Sequence, residues 1–345
     1  MHRFDYRDLA RTLDATLVGV TNVLVDLRAR NELREQQDAI GFEKLKQAAV
    51  IESVRGSNAI EGIVTTKARL EELVQGAEPL THGEREILGY KNALQEIYSP
   101  GFSGSFTEDY IRHLHALLLG GTSNQAGKYK VEDNWIQERD AEGHISVRFV
   151  PVRAADTPDA MIQLVMAYRE ARQDERINNL LLTACVTVDF LCIHPFADGN
   201  GRVSRLLTIM LLQQFGFDVC RYVSVEGMID KHKAGYYDAL KASSEGWHDS
   251  DNDYTPFALY LLQILYACYR ELDRRYVEGT LERVPKSKRI ETLLMDAYVP
   301  ISKAEICDKF PEVSVRTVER VLARLMREGT IEKIGTYRDA RYRRL

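Results

Sequence analysis

The centre of the chain limits its fold more than any other part. Residues 177–193 are largely apolar over a helical length, Pro195 ends them, and RVSRLLTIMLLQQ begins a second apolar helix near Arg202. Both helices are too apolar to lie on a surface. The connection between them, which contains ADGNGR, is therefore a polar turn wedged between two buried helices.

That turn holds the groups for phosphate chemistry. The first amides of a helix lack intrahelical acceptors, and the helix dipole is positive there. Gly199 and Gly201 remove the Cβ atoms that would obstruct a close ligand and permit the dihedrals of an anion nest. Arg202 adds a fork of donors suited to phosphate oxygens, and Arg205, one turn later, can reach a neighbouring phosphate. Asp198 would repel a bare polyphosphate, so it makes sense as a Mg²⁺ ligand. His194 suits a general base, giving attack on phosphorus by a hydroxyl whose proton passes to the imidazole. No GxxxxGK[ST] is present, which excludes a P-loop.

Most of the remaining chain reads as helix: 5–30, 42–60 ended by Gly62, a segment KARLEELVQG capped by Thr65 or Thr66, 107–119 capped by Thr107, about 156–172, and about 255–275. Residues 127–152 mix β-branched and aromatic residues around an AEGH turn and read as a hairpin. GTLERVPKSKR, 279–289, reads as a linker. Beyond it come helix 287–297, SKAEICDKF, a helix capped by Ser314 and ended by Gly329, and a two-stranded wing, a pattern that resembles a winged helix–turn–helix. Arg316, Arg320 and Arg324 fall at i, i+4 and i+8 on its third helix, a stripe that suits DNA phosphates or the solvated face of a protein-docking module.

Composition bounds the function classes. In 345 residues, 45% are hydrophobic and 28% charged, ordinary for a globular protein of two or three domains. The net charge of −5 argues against a polyanion binder as a whole. Residues 286–345 hold 14 Lys+Arg against 9 Asp+Glu, a net of +5 that leaves −10 on the remainder, so a separate module with its own partner is expected. The five cysteines, Cys185, Cys192, Cys220, Cys268 and Cys307, are scattered without a CxxC and are expected as reduced, buried thiols. The N-terminus has no apolar signal region and no uncharged apolar run reaches the ~20 residues of a membrane span, so a cytoplasmic location is expected.

HPFADGNGRVSR, residues 194–205, resembles the Fic-domain signature HxFx(D/E)GNGRxxR at every fixed position. The resemblance implies an all-α enzyme core with a β-hairpin flap that transfers AMP from ATP to a protein hydroxyl. By it, His194 is the base, Phe196 anchors the loop and Asp198 binds Mg²⁺. Gly199, Asn200, Gly201 and Arg202 hold phosphates with Val203 and Ser204 in the same segment, and Arg205 orients the γ-phosphate. SNAIEG, 57–62, is similar to the family's inhibitory motif (S/T)xxxE(G/N). Ser57 and Glu61 share a helix face at i and i+4. Glu61, followed by Gly62, would then pair with Arg205 and take the γ-phosphate position. The hairpin matches the family's flap, which docks a target segment as an added strand. It departs in one respect: a single Pro151 followed by Val152 stands where members often show Pro-Pro. YYDAL, 236–240, resembles the segment bordering the adenine, with Tyr236 as its contact.

The architecture expected is an N-terminal helical region over 1–100 with the inhibitory motif, a Fic core over 101–278 and a winged module over 286–345. Partners are ATP and a protein bearing a Tyr, Thr or Ser hydroxyl, with DNA or protein on the C-terminal module, no membrane, and a homodimer by resemblance. Three activities stay open: an autoinhibited AMP-transferase, a Glu61-dependent remover of AMP, and a DNA-binding regulator that uses the core as a nucleotide sensor. His113, His115, Trp135 and Trp247 are expected as structural, His144 as solvated, and Asp189 as a buried hydrogen-bonding group without a catalytic role.

Overall fold

The computed structural model describes residues 2–10, 15–139, 143–283, 286–297, 299–311, 313–335 and 340–345. The chain is mostly helical, and its internal contacts divide it between Leu272 and Asp273 into two compact units. In the first unit a 3-10 turn, Arg7–Ala10, precedes α1, Ala15–Gln37; the helix expected over 5–30 thus begins later and runs further, with 11–14 outside the described residues. Next come α2, Ala39–Ile60, α3, Lys67–Val74, α4, His82–Ile97, and α5, Glu108–Leu119. Thr66 and Thr107 cap α3 and α5 through their side chains, each accepting from the third amide of its helix. Strands β1, Ile136–Arg139, and β2, Ile145–Phe149, pair antiparallel; residues 140–142 of the expected turn lie outside the described residues.

The core is built on α6, Thr157–Arg172, α7, Asn179–Ile193, and α8, Asn200–Gln214. α7 and α8 are buried nearly all round, as their composition demands, and where they meet Thr187 and Thr208 each donate to a carbonyl of their own helix, Thr183 O at 2.7 Å and Ser204 O at 2.8 Å. Two short helices follow, α9, Val225–Lys231, and α10, Lys233–Ser244, then the long α11, Thr255–Arg283. α2 packs directly on α9. A Cβ at Gly56 would stand 2.7 Å from the backbone nitrogen of Gly227, so only glycine permits this approach. Behind it the buried Glu226 accepts from Ser53 Oγ at 2.8 Å and Tyr90 Oη at 2.7 Å.

Asp189, on α7, is fully buried and accepts from Tyr6 Oη at 2.5 Å, Tyr254 Oη at 2.7 Å and Trp247 Nε1 at 2.8 Å. His2 stacks on Trp247 with ring centroids 4.2 Å apart. The expected hydrogen-bonding role of Asp189 thus takes the form of a hub that ties the first residues of the chain to the core. Trp247 packs as expected, whereas Trp135, expected as a packing residue, is 59% exposed. Four cysteines are buried thiols and Cys307 is half-buried. Among the described residues no helix is long and apolar enough to cross a membrane.

The second unit contains α12, Lys286–Asp296, β3, Ile301–Ser302, α13, Lys303–Lys309, α14, Val315–Arg327, β4, Ile331–Ile334, and β5, Arg341–Arg344. The strands form one antiparallel sheet in the order β3-β5-β4. Its core gathers Ile290, Leu294, Ile306, Val318, Leu322 and Ile331, among others. Ser302 and Glu305 close a reciprocal capping box on α13. The segment 279–289, read as a linker, is helical up to Arg283 and again from Lys286, with 284–285 outside the described residues. Arg324 departs from the expected arginine stripe. It is held by Glu291 at 2.7 Å and Glu328 at 3.0 Å, because it lies on the flank of α14 that faces α12.

Removing one donor from the Asp189 hub leaves a buried carboxylate oxygen under-satisfied. Tyr6→Phe is expected to lower unfolding stability by about 1–3 kcal/mol, read as the shift in urea midpoint. An unchanged midpoint would show that the hub does not hold the N-terminal residues to the core.

Candidate active site

The turn after α7 is a strained loop held on all sides. His194 caps α7 with φ 52° and ψ 59°, a left-handed conformation uncommon for a residue with a side chain. Its neighbours fix it there. The Lys130 backbone amide donates to Pro195 O at 2.8 Å, and the buried Lys130 Nζ to Ile193 O at 3.2 Å. Asn134 Nδ2 donates to Phe196 O at 3.0 Å. Asn200 closes the loop on itself, accepting from the Phe196 amide at 2.9 Å and donating to its carbonyl at 2.7 Å. Phe196 is buried against His115, stacked at 3.8 Å. His115 Nε2 donates to Asp198 O at 3.1 Å while Nδ1 accepts from the Gly127 amide at 2.9 Å. Burial pushes its pKa down to about 4, so the ring is neutral, as those two bonds require.

His194 Nδ1 lies 3.2 Å from Leu191 O, which can only accept, so the proton sits on Nδ1 and Nε2 is left basic. Burial lowers its pKa to about 4; the Leu191 carbonyl opposes this shift and the Lys130 charge adds to it. The imidazole is therefore unprotonated at neutral pH.

α8 begins at Asn200 with Gly199 as N-cap at φ 80°. The Val203 amide already donates to Gly199 O at 2.9 Å, leaving the amides of Asn200, Gly201 and Arg202 as the orphan donors of the first turn. Over this turn lies Glu61, the residue immediately after α2. A Cβ on Gly201 would collide with Glu61 Oε1, so glycine makes the seat that the carboxylate occupies. Arg205, 3% exposed, reaches the same carboxylate: Nη2 donates to Glu61 Oε1 at 2.8 Å and to Ser57 O at 2.9 Å, and Nε donates to Ser57 Oγ at 2.9 Å. Gly62 turns the chain away at φ 82°, and Lys233 Nζ holds the Ile60 carbonyl at 2.6 Å.

These groups face a cavity of about 570 Å³, lined by His194, Asp198, the glycines, Glu61 and Arg205 together with Tyr236, Tyr237 and Leu240 of α10. Its volume is in the range of small-molecule sites. Tyr236 is buried beside Arg205 and edges against Tyr237. Asp198 is exposed at the mouth, its Oδ1 accepting from the Gly199 amide at 2.6 Å.

Three residues grouped with the phosphate site lie elsewhere. The Arg202 side chain is buried behind the loop, paired with Glu86 and 3.4 Å from Asp198, so its guanidinium does not line the cavity. Val203 points into the core and Ser204 Oγ donates to Gly201 O at 2.7 Å. Arg202 can contribute its amide only, and Val203 and Ser204 act as scaffold. Sequence reasoning missed Lys130, Asn134 and Lys233. It also missed the ion pair of Glu138 on β1 with Lys241 on α10, 2.9 Å apart, both on the cavity wall. The clue to Lys130 and Asn134 was the KYKVEDN run beside the hairpin, but nothing in it shows which carbonyls they meet.

The Fic/DOC family model matches residues 105–212. The protein adenylyltransferase Fic of Nematostella vectensis is 26% identical over 244 residues, covering 64% of this chain and 52% of that protein. Its namesake in Drosophila mojavensis is 26% identical over 255 residues, covering 69% and 46%. The chain thus spans about half the length of the curated relatives it matches. Among solved structures, a Fic family protein from Desulfovibrio desulfuricans G20 superposes with a TM-score of 0.64 at 21% identity, covering 97% of each chain. Fic-1 from C. elegans superposes at 0.60 and 20% identity, covering 78% of this chain and 74% of that one, and both are likenesses of fold. The loop, the cradle at the start of α8 and the flap all fall inside the matched segment, and this chain carries a Fic domain.

Proposed function

We propose that this chain is an autoinhibited protein adenylyltransferase that moves AMP from ATP to a Tyr, Thr or Ser hydroxyl of a protein, itself included. The observation that carries this is the Glu61 carboxylate, bonded to the buried Arg205 over Gly201, beside a neutral His194. The chain has placed an anion of its own where the helix N-terminus and the guanidinium would hold a phosphate. The relatives named protein adenylyltransferase support the reaction class.

In the reaction proposed, the acceptor oxygen attacks the α-phosphorus and His194 Nε2 takes its proton. The bond from the α-phosphorus to the bridging oxygen breaks, and pyrophosphate leaves with that electron pair. The amides of Asn200 and Gly201 hold phosphate oxygens, and Arg205 takes the terminal phosphate once Glu61 has swung away. Among the described residues no cluster of three or more His, Cys, Asp or Glu could hold a metal. The single exposed Asp198 nonetheless fits Mg²⁺, which favours one or two carboxylates with the remaining positions filled by phosphates and water. The ion would neutralise phosphate charge there. Removal of AMP is the second reading, favoured by Glu61 sharing the cavity with His194, where its carboxylate could position water.

Two outcomes are expected. In a Glu61→Gly background, incubation with labelled ATP, Mg²⁺ and cell lysate should label protein bands, and adding His194→Ala should lower the rate by about 10²–10⁴-fold. Labelling that survives the loss of His194 would remove it as base. In an NMR titration His194 should stay neutral as pH falls below the ordinary 6.5 and take up its proton only near pH 4. The unfolded chain binds that proton first, so this group draws stability down as pH falls through this window. A midpoint at or above 6.5 would contradict the burial argument.

A further inference from the structure

The outward face of α14 is basic. The helix buries Val318, Val321, Leu322 and Leu325. At roughly 100° per residue, Arg316, Arg320, Ala323 and Arg327 fall within an arc of about 60° on the opposite pole. All four are exposed. The only acid on the helix, Glu319, is held by Lys303 at 2.8 Å, and Arg324 is taken up by Glu291 and Glu328. No ion pair among the described residues engages Arg316, Arg320 or Arg327. The pole is therefore three free guanidinium groups around one small side chain, on α14 of the second unit. Lys333 and Arg344 are exposed on the β4–β5 hairpin of the same unit.

We infer that this unit binds duplex DNA, with α14 entering the major groove and Arg316, Arg320 and Arg327 each meeting a phosphate. The shape argues for DNA over other polyanions. A convex helix pole with alanine among the arginines can sink into a groove about 12 Å wide. The deep, narrow major groove of A-form RNA excludes a helix. The −10 carried by residues outside 286–345 opposes general attraction to polyanions, so binding must come from this face. The inference does not depend on the transferase reading, and its test measures no transfer.

The test is fluorescence anisotropy of the full chain with a labelled random-sequence 20-base-pair DNA duplex. Three phosphate contacts predict a salt slope near −2.7, so affinity should fall about 40-fold between 50 and 200 mM salt. The triple variant Arg316→Ala, Arg320→Ala, Arg327→Ala should lose both the binding and the slope, while Arg324→Ala should bind within about twofold of the parent. Several results would overturn the inference: no binding by the parent at 50 mM salt and about 100 μM protein, equal binding by the triple variant, a loss with Arg324→Ala as large as with the triple variant, or an RNA duplex bound as tightly as DNA.

Discussion

A buried guanidinium sets the terms for the rest of the site. Arg205 is 3% exposed and permanently charged, and taking such a group out of water costs several kcal/mol unless partners offset it. α2 supplies them: Ser57 through its hydroxyl and carbonyl, and Glu61 through its carboxylate. Only one of the three partners is an anion. With Ser57 holding both Nε and Nη2, the guanidinium stays aimed when Glu61 leaves, and a phosphate can replace the carboxylate without rebuilding the site. The switch we propose exchanges one anion for another on a fixed cation.

That exchange does not require α2 to move. The helix is locked by the Gly56–Gly227 approach, by Ser53 on the buried Glu226, and by Lys233 on the Ile60 carbonyl. Glu61 lies just beyond these contacts, where its backbone leaves the helix and Gly62 reverses the chain. Its side chain is a third exposed, so a rotamer change frees the seat at far smaller cost than unpacking α2. The two histidines of the loop divide the remaining work. Burial keeps both neutral, but His115 spends its two nitrogens on backbone partners, whereas His194 spends one and keeps the other basic.

Features set by local pattern could be read from the sequence. The apolar runs predicted α7 and α8, Thr66, Thr107 and Ser314 cap the helices they were expected to cap, and the four-residue spacing of Ser57 and Glu61 put both on one face. What pattern cannot show is which distant group a polar residue meets. Arg202 looked like a phosphate ligand, and its guanidinium is claimed by Glu86, 116 positions away. Asp189 is expected to bond a neighbouring group, but its pattern does not show that its donors come from both ends of the first unit. Lys130 and Asn134 show no motif, because they act on carbonyls, which every residue has. Within the helical region expected over 1–100, α4 is hard to delimit although Ile87, Tyr90, Leu94 and Ile97 keep helical spacing, since charged residues and a glycine break up its apolar face. Arg324 sits on the expected stripe by count, yet the helical angle turns it toward Glu291.

The proposed switch stands or falls on Glu61 competing with the terminal phosphate of the nucleotide for Arg205. The measurement that tests this most directly is the initial rate of AMP transfer by three proteins: the parent, Glu61→Gly, and Glu61→Gly with Arg205→Ala. Losing a charge-assisted bond of about 1.5–3 kcal/mol from the resting state predicts that Glu61→Gly is about 10- to 150-fold faster than the parent. Most of that gain should vanish when Arg205 is also removed. Equal rates for the parent and Glu61→Gly, or a gain that persists without Arg205, would contradict it.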